Sequence, residues 1–433
     1  MKRTLICNLM VMAALGSVQS LKAETNNAPA AATNAMTLDA LVVQALEKNP
    51  ELNFYRTEIA AAKGEKRTAT AWQNPELSTE LGHKRVSGGG LSGEGMAWSV
   101  SVMQPFEYPG RIALRKAIAN RQIELAEIGY AQFCAALAAR VRTLGYGLLV
   151  AQEKAEASQA VAERGQELVE VLVQRDPAGI APLLETRIIE ASVIVAKRRA
   201  AEAFKEAQVA LYELNQLRGE RLSAPLRVAK TDLKFQAIAS ADELVVAALT
   251  NNFELRMRQV ELAQQGLRVD LSKNERKPGI TAGPFYSQES GNETERVVGV
   301  GISMPLPLWN RNQGNIETAK ARQGQAETSL MVTQRQVERE LLEAVAAYNA
   351  LLDQMSFWRS DSLKQLSEAA ELGDRHYRLG ALPISTYTEL QEKFLEAVEA
   401  ILETQREALE NLQRIELLTG LTPLLVNVKE EAK

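Results

Sequence analysis

Histidine, cysteine, methionine and carboxylate side chains are the groups with which this chain could bind a metal or move a proton. Their spacing argues against both. The 433 residues contain two histidines, His83 and His376, that stand 293 positions apart. The cysteines are Cys7, near the start, and Cys134, in the run Ala131-Gln132-Phe133-Cys134. Ten methionines are present, seven of them beyond residue 23, and none of those seven forms a Met-x-Met pair. Zinc and copper sites need such donors gathered within coordination distance, so neither a metal site nor a cofactor site is expected. The nearest thing to a phosphate loop, Ser87-Gly88-Gly89-Gly90, lacks the Lys-Ser/Thr ending and a following helix. The 54 acidic residues lie mostly in helix-forming stretches, where a solvated face explains them. Nothing here points to an enzyme.

Charge and the N-terminus narrow the classes further. The net charge is −4, which gives no reason to expect nucleic-acid binding. Lys2-Arg3, an apolar stretch from Leu5 to Val18 and small residues up to Ala23 read as an export signal over 1–23. Without it, 47 basic residues face 54 acidic ones, a balance of −7. Cys134 is then a single cysteine, unable to form an internal disulfide, on an apolar helix face with Ala131, Phe133 and Leu137. Residues 24–35 read as a flexible lead-in. No later stretch has 18 consecutive apolar residues, so a helical inner-membrane protein is not expected.

The elements that must position any functional group are written twice. Asn49-Pro50-Glu51-Leu52 returns as Asn252-Phe253-Glu254-Leu255, Gln104–Arg111 as Met304–Arg311, Gly179-Ile180-Ala181-Pro182 as Gly380-Ala381-Leu382-Pro383, and Leu217-Arg218-Gly219 as Leu418-Thr419-Gly420. Four landmarks in order, at offsets of 200 to 203, predict two equivalent halves. The period is too long for a solenoid unit. The boundaries read as a first repeat over 36–225, a second over 226–420 and a tail over 421–433.

Proline marks out the helices. None occurs in the 67 residues between Pro109 and Pro177, nor in the 75 between Pro307 and Pro383, and both intervals are rich in Ala, Leu, Glu, Gln and Arg. Each half reads as one very long helix, a tight turn and a return helix. A helix of such length reaches on the order of 100 Å, and its alanine-rich seams suit close packing in a coiled coil or tube wall. Before each long helix the pattern changes to alternation. Leu77–Gly82, Trp98–Val102 and Val298–Ser303 alternate cleanly, and Gly279–Gln288 less so. With glycine-rich separators at Ser87–Gly95 and Glu289–Glu293, they predict one β-hairpin per half, about 75–107 and about 279–306.

Such alternation fits a soluble sheet over a core, or a membrane barrel with its apolar face in lipid. Four strands cannot close a barrel, and an open edge in lipid leaves backbone groups unsatisfied. The membrane reading therefore demands several chains. In it Trp98, Val100, Val102, Val298, Val300 and Ile302 face lipid, while Ser99, Ser101, Gly299 and Gly301 face the lumen. His83 then sits in the barrel and His376 on the surface near the second turn.

Three motifs carry a family resemblance. Trp72-Gln73-Asn74-Pro75-Glu76-Leu77 opens the first strand, Pro305-Leu306-Pro307-Leu308-Trp309-Asn310-Arg311-Asn312-Gln313-Gly314-Asn315-Ile316 joins the last strand to its helix, and Tyr377-Arg378-Leu379-Gly380 sits at the second turn. With the duplication, the chain resembles the TolC-type outer-membrane efflux proteins over essentially its whole mature length, most of all the heavy-metal (cobalt–zinc–cadmium) branch. The resemblance implies a mixed, mainly α fold: long antiparallel helical hairpins form a periplasmic tube of twelve helices, and four strands per chain join a twelve-stranded barrel in a homotrimer. It also implies residence in the outer membrane of a Gram-negative-type bacterium. Its partners would be a periplasmic adaptor and an inner-membrane pump of the resistance-nodulation-division type.

The resemblance also places a gate at the turns. In the family, carboxylates beyond the tip glycine form an acidic ring. The matching positions are Glu185 in the first half and Thr386 and Glu389 in the second, with Thr386 where an acid is expected. Tyr377 falls where the family has a tyrosine that tethers neighbouring helices. Gly179 and Gly380 sit where a helix must end and reverse, and with Ile180, Arg378 and Leu379 they make the surface an adaptor would touch. The function implied is a passive export duct of a tripartite system for heavy-metal cations. The same architecture exporting drugs or proteins is the alternative, and a periplasmic coiled-coil scaffold is the rival of another class.

Overall fold

A computed structural model describes residues 35–88, 91–174, 180–231, 233–291, 293–358 and 362–421. The first half runs α1 (Leu38–Lys48), α2 (Glu51–Thr70), β1 (Glu76–Gly88), β2 (Leu91–Phe106), α3 (Arg111–Gln174) and α4 (Ile180–Leu217). The second runs α5 (Ala241–Asn251), α6 (Phe253–Glu275), β3 (Ile280–Ser290), β4 (Thr294–Ser303), α7 (Gln313–Ser356), α8 (Ser362–Arg378) and α9 (Ile384–Thr419). The duplication is visible in individual bonds. Buried Asn49 lies between α1 and α2, and its Nδ2 donates to the Leu217 carbonyl at the end of α4 at 2.9 Å. Asn252, between α5 and α6, donates to the Leu418 carbonyl of α9 at 2.9 Å. Each asparagine also accepts the backbone N–H that opens the next helix, from Glu51 at 2.8 Å and from Leu255 at 3.0 Å. One short side chain thus caps a helix and ties the return helix back to it.

The 64 residues of α3 make a rod of about 95 Å at ~1.5 Å per residue. By length and composition a window of α3 could cross a membrane. Part of its apolar surface packs against α1, α4 and α9, with Leu137, Val141, Leu148 and Ala162 meeting Leu38, Leu41, Leu214, Leu395 and Leu402. In the second half Leu244, Leu341, Tyr348, Leu412 and Ile415 form the corresponding cluster of α5, α7 and α9.

The second long helix differs from expectation. Where the proline-free interval predicts one rod, the described residues give two helices, α7 and α8. The α7 ladder tightens at its end, where Phe357 and Trp358 N–H groups reach back three residues, to Gln354 and Met355 carbonyls at 3.4 and 3.0 Å. The absence of proline alone did not reveal that break.

The four strands form one antiparallel sheet in the order β1-β2-β3-β4. The expected glycine-rich separators are largely strand themselves, with Ser87 opposite Ser92 and Gly88 opposite Leu91. In the sheet β1 and β4 each have a neighbour on one side only.

Candidate functional site

Two surfaces carry the sequence-predicted site residues, the faces of the sheet and the helical tip. Residues directly opposite in an antiparallel pair share a face. Thr79 lies opposite Val100, Val100 opposite Tyr286 and Tyr286 opposite Val298. Leu77 and Leu81 face Val102 and Trp98, while Ala282 and Pro284 face Ile302 and Val300. Trp98, Val100, Val102, Val298, Val300 and Ile302 therefore stand on one side of the sheet. The Trp98 and Tyr286 rings meet there at 5.2 Å. Val298 is 79% exposed, and Val102, Val300 and Ile302 are exposed with it.

The opposite side holds Ser99, Ser101, Gly299 and Gly301 with Glu80, Lys84, Glu289 and Glu295. Ser99 Oγ donates to Glu80 Oε2 at 3.3 Å. Lys84 Nζ binds Glu289 Oε2 at 2.7 Å and reaches Glu295 Oε2 at 3.5 Å. His83 projects to the apolar side beyond the Leu81 row, 3.7 Å from Glu94. Among the described residues no group of three His, Cys, Asp or Glu side chains could hold a metal ion.

At the tip, Gly179 lies outside the described residues, and Ile180 begins α4. Gly380 adopts φ +72°. Its N–H bonds the Tyr377 carbonyl and the Ala381 N–H bonds the His376 carbonyl, both at 2.9 Å. This paired closure of a helix end needs a left-handed residue, which glycine supplies without Cβ strain. Leu379 is exposed beside it, as is the backbone turn. Below the turn Leu168, Ile189, Val193 and Tyr387 form a small core joined by Tyr377, Leu382 and Ile384, so α3, α4, α8 and α9 all meet there. Tyr377 stacks on Tyr387 with ring centroids 5.0 Å apart. Tyr387 is only 2% exposed; burial, and then the charge of Asp374, push its phenol pKa up and keep it neutral.

The tether across helices is made by Arg378. Its Nε donates to Asp374 Oδ2 at 2.8 Å on the same helix, and its Nη2 donates to Glu167 Oε2 on α3 at 2.9 Å. Burial works against the guanidinium charge, but these two carboxylates outweigh it and raise the pKa. Sequence reasoning missed Asp374, Glu167 and Tyr387. The i,i+4 spacing of Asp374 and Arg378 was a readable signal; the approach of Glu167 from 211 residues away was not. Gly373 was missed too; a Cβ there would come 2.3 Å from Leu390 Cδ2 of α9.

Glu185 is half-buried on α4, four residues before Ile189, while Thr386 and Glu389 are exposed and flank Tyr387 on α9. Among the described residues no ion pair involves Glu185 or Glu389. The structure thus brings Tyr377 and Arg378 into one cluster and leaves these carboxylates on its outer surface.

The family model described as outer membrane efflux protein matches residues 41–220 and again 244–421, once for each half. The chain belongs to the outer membrane efflux protein family. Family and fold are those of channel proteins rather than of enzymes, and the chain is an efflux channel component of the outer membrane. Similar proteins include the cobalt-zinc-cadmium resistance protein CzcC of Cupriavidus metallidurans, 26% identical over 322 residues that make up 73% of each chain. The nickel-cobalt-cadmium resistance protein NccC of Alcaligenes xylosoxydans xylosoxydans is 27% identical over 342 residues, 75% of this chain and 71% of that one. In three dimensions the chain is similar to the Campylobacter jejuni CmeC outer membrane channel, with a TM-score of 0.68 at 16% identity, over 95% of this chain and 94% of that one. That family likeness agrees with the mainly helical fold and its four-stranded sheet.

Proposed function

We propose that three copies of this chain form one duct, a twelve-stranded barrel in the outer membrane continued by a tube of helices into the periplasm, and that the duct exports heavy-metal cations. The observation that carries the assembly is the sheet. Its apolar face is continuous across all four strands, while β1 and β4 each lack a second neighbour. Backbone groups at such edges cannot be left unpaired in lipid, and three antiparallel meanders of four strands close without a parallel junction. The face bearing Trp98, Val100, Val102, Val298, Val300 and Ile302 then meets lipid, and the Lys84–Glu289–Glu295 face lines the lumen.

The metal substrate is supported by the two resistance proteins to which the chain is similar. Selection of the cation belongs to an inner-membrane pump of the resistance-nodulation-division type, reached through a periplasmic adaptor that contacts the turns at Gly179-Ile180 and Arg378-Leu379-Gly380. Glu185 and Glu389, with Thr386 between them in role, line the constriction of the resting duct, closed by the Tyr377 and Arg378 contacts. An export signal over 1–23 delivers the chain.

Light scattering of the protein in mild detergent, joined to metal accumulation in cells with and without the gene, tests both parts. A trimer, and cells that retain cobalt, zinc or cadmium when the gene is removed, are expected. A stable monomer overturns the assembly. Unchanged metal content with increased drug sensitivity assigns the duct to drug export instead.

A further inference from the structure

His83 takes no part in the gate and stands beyond the Leu81 row of the sheet. The first hairpin gathers around it donors that the sequence spreads over positions 83 to 96. The pairing of β1 with β2 puts Met96 directly opposite His83 and Glu94 directly opposite Arg85. All four side chains belong to one face, at the end of the sheet remote from α2 and α3. Opposite residues in such a pair have Cβ atoms about 4.5–5.5 Å apart, so the Met96 thioether is within reach of the His83 ring. His83, Glu94 and Met96 are all exposed.

His83 and Glu94 face each other across a gap. His83 Nε2 lies 3.7 Å from Glu94 Oε2, too long for a hydrogen bond. Neighbouring ligands of a tetrahedral zinc ion with bonds of ~2.1 Å stand about 3.4 Å apart, and the longer bonds of a larger ion widen that spacing. Arg85 Nε stands 3.0 Å from Glu94 Oε1. It engages one carboxylate oxygen and leaves the other turned to His83, as outer partners of metal-ligating carboxylates do. Lys84 lies on the opposite face with Glu289 and Glu295, so it does not compete for Glu94.

We propose that His83, Glu94 and Met96 form a binding site for a thiophilic divalent cation of the zinc and cadmium class. The donors are an imidazole nitrogen, a carboxylate oxygen and a thioether sulfur. Magnesium and calcium take oxygen ligands, whereas imidazole and sulfur favour softer ions. Three protein donors leave a fourth position to water, and the Arg85 charge offsets that of Glu94, so binding is weak and reversible. In the barrel reading this end of the hairpin is at the mouth from which exported metal leaves. That placement rests on the proposed function; the ligand set does not.

Calorimetric titration of the detergent-solubilised protein with cadmium chloride tests the site, with magnesium chloride as the oxygen-seeking reference. A Cys7→Ala/Cys134→Ala background removes both thiols, which would otherwise take up cadmium. Cadmium should bind and magnesium should not displace it. His83→Gln should weaken cadmium at least about tenfold, and Glu94→Gln should weaken it too. His376→Gln, which removes the other histidine, should leave binding unchanged. X-ray absorption at the cadmium edge should show a sulfur neighbour that Met96→Leu removes. Binding that survives His83→Gln undiminished places the ion on scattered carboxylates and overturns the proposal. A sulfur neighbour that is absent from the parent protein, or that persists in Met96→Leu, overturns it as well. A trimer by light scattering that binds no cadmium overturns the site and leaves the barrel standing. Cadmium held through His83 by a chain that scatters as a monomer supports the site and overturns the barrel.

Discussion

Replacing Arg378 by Gln removes both ends of the tip tether, and the two ends differ in environment. The Glu167 side chain is 65% exposed and that of Arg378 36%, so this pair is worth about 0.2–1 kcal/mol. The Asp374 side chain is only 12% exposed, and its Oδ1 is buried without a hydrogen-bond partner. Without Arg378 its other oxygen is orphaned as well, at a cost of about 1–3 kcal/mol or more for a charged group. Arg378→Gln should therefore destabilise the resting tip by about 2–3 kcal/mol, and Glu167→Gln by at most about 1. With tenfold per 1.4 kcal/mol, that is about 30-fold or more in the opening equilibrium of one hairpin, against about fivefold at most. Planar-bilayer conductance of the resting duct reads the difference, and amide exchange along α8 reads it independently. Arg378→Gln/Asp374→Asn should recover part of the loss, because the buried charge is then gone. If Glu167→Gln opens the tip as far as Arg378→Gln does, burial of Asp374 is not what makes the tether strong. If neither variant changes conductance or exchange, the cluster does not hold the tip closed.

Three further outcomes follow from the geometry. Val100→Arg should cost about 2–4 kcal/mol near the bilayer midplane and Ser101→Arg much less; equal losses of assembled protein at the two sites would mean the faces are reversed. Gly373→Ala places a methyl against Leu390 Cδ2, the end of a side chain that can turn aside, while Ala gains about 1 kcal/mol over Gly inside a helix. The thermal midpoint should hold or rise slightly, and a clear fall that Gly373→Ala/Leu390→Ala relieves would show that α8 and α9 leave Leu390 no room. Burial pushes the Glu403 carboxyl up, but hydrogen bonds from Arg406 and from Lys154 on α3 outweigh it and leave its pKa below the usual range. A depressed folded-state value adds stability above the unfolded pKa that is lost as pH falls through the folded one. Urea unfolding of the wild type should therefore weaken more than that of Glu403→Gln as pH drops below about 4.5; parallel pH profiles would refute the role of this pair.

Much of the architecture was legible because it depends on local rules. Proline-free, alanine-rich stretches favour helix throughout, and alternation such as Trp98-Ser99-Val100-Ser101-Val102 fixes which side chains share a face whatever lies across the sheet. The duplication placed Asn49 and Asn252 in matching positions, and each donates the same bond to the end of its return helix. Gly380 was readable because few residues tolerate its backbone angle. The sequence could not say that α7 ends at Ser356 and α8 begins at Ser362, because no proline marks the place. It did not say that Tyr377 stacks on Tyr387, or that Arg378 reaches Glu167, because those contacts depend on how four helices are set side by side. Nor could it say that Leu390 crowds Gly373. Periodicity within one chain segment determines an element and its faces; which groups meet across elements is decided only when packing brings residues hundreds of positions apart within a few ångströms.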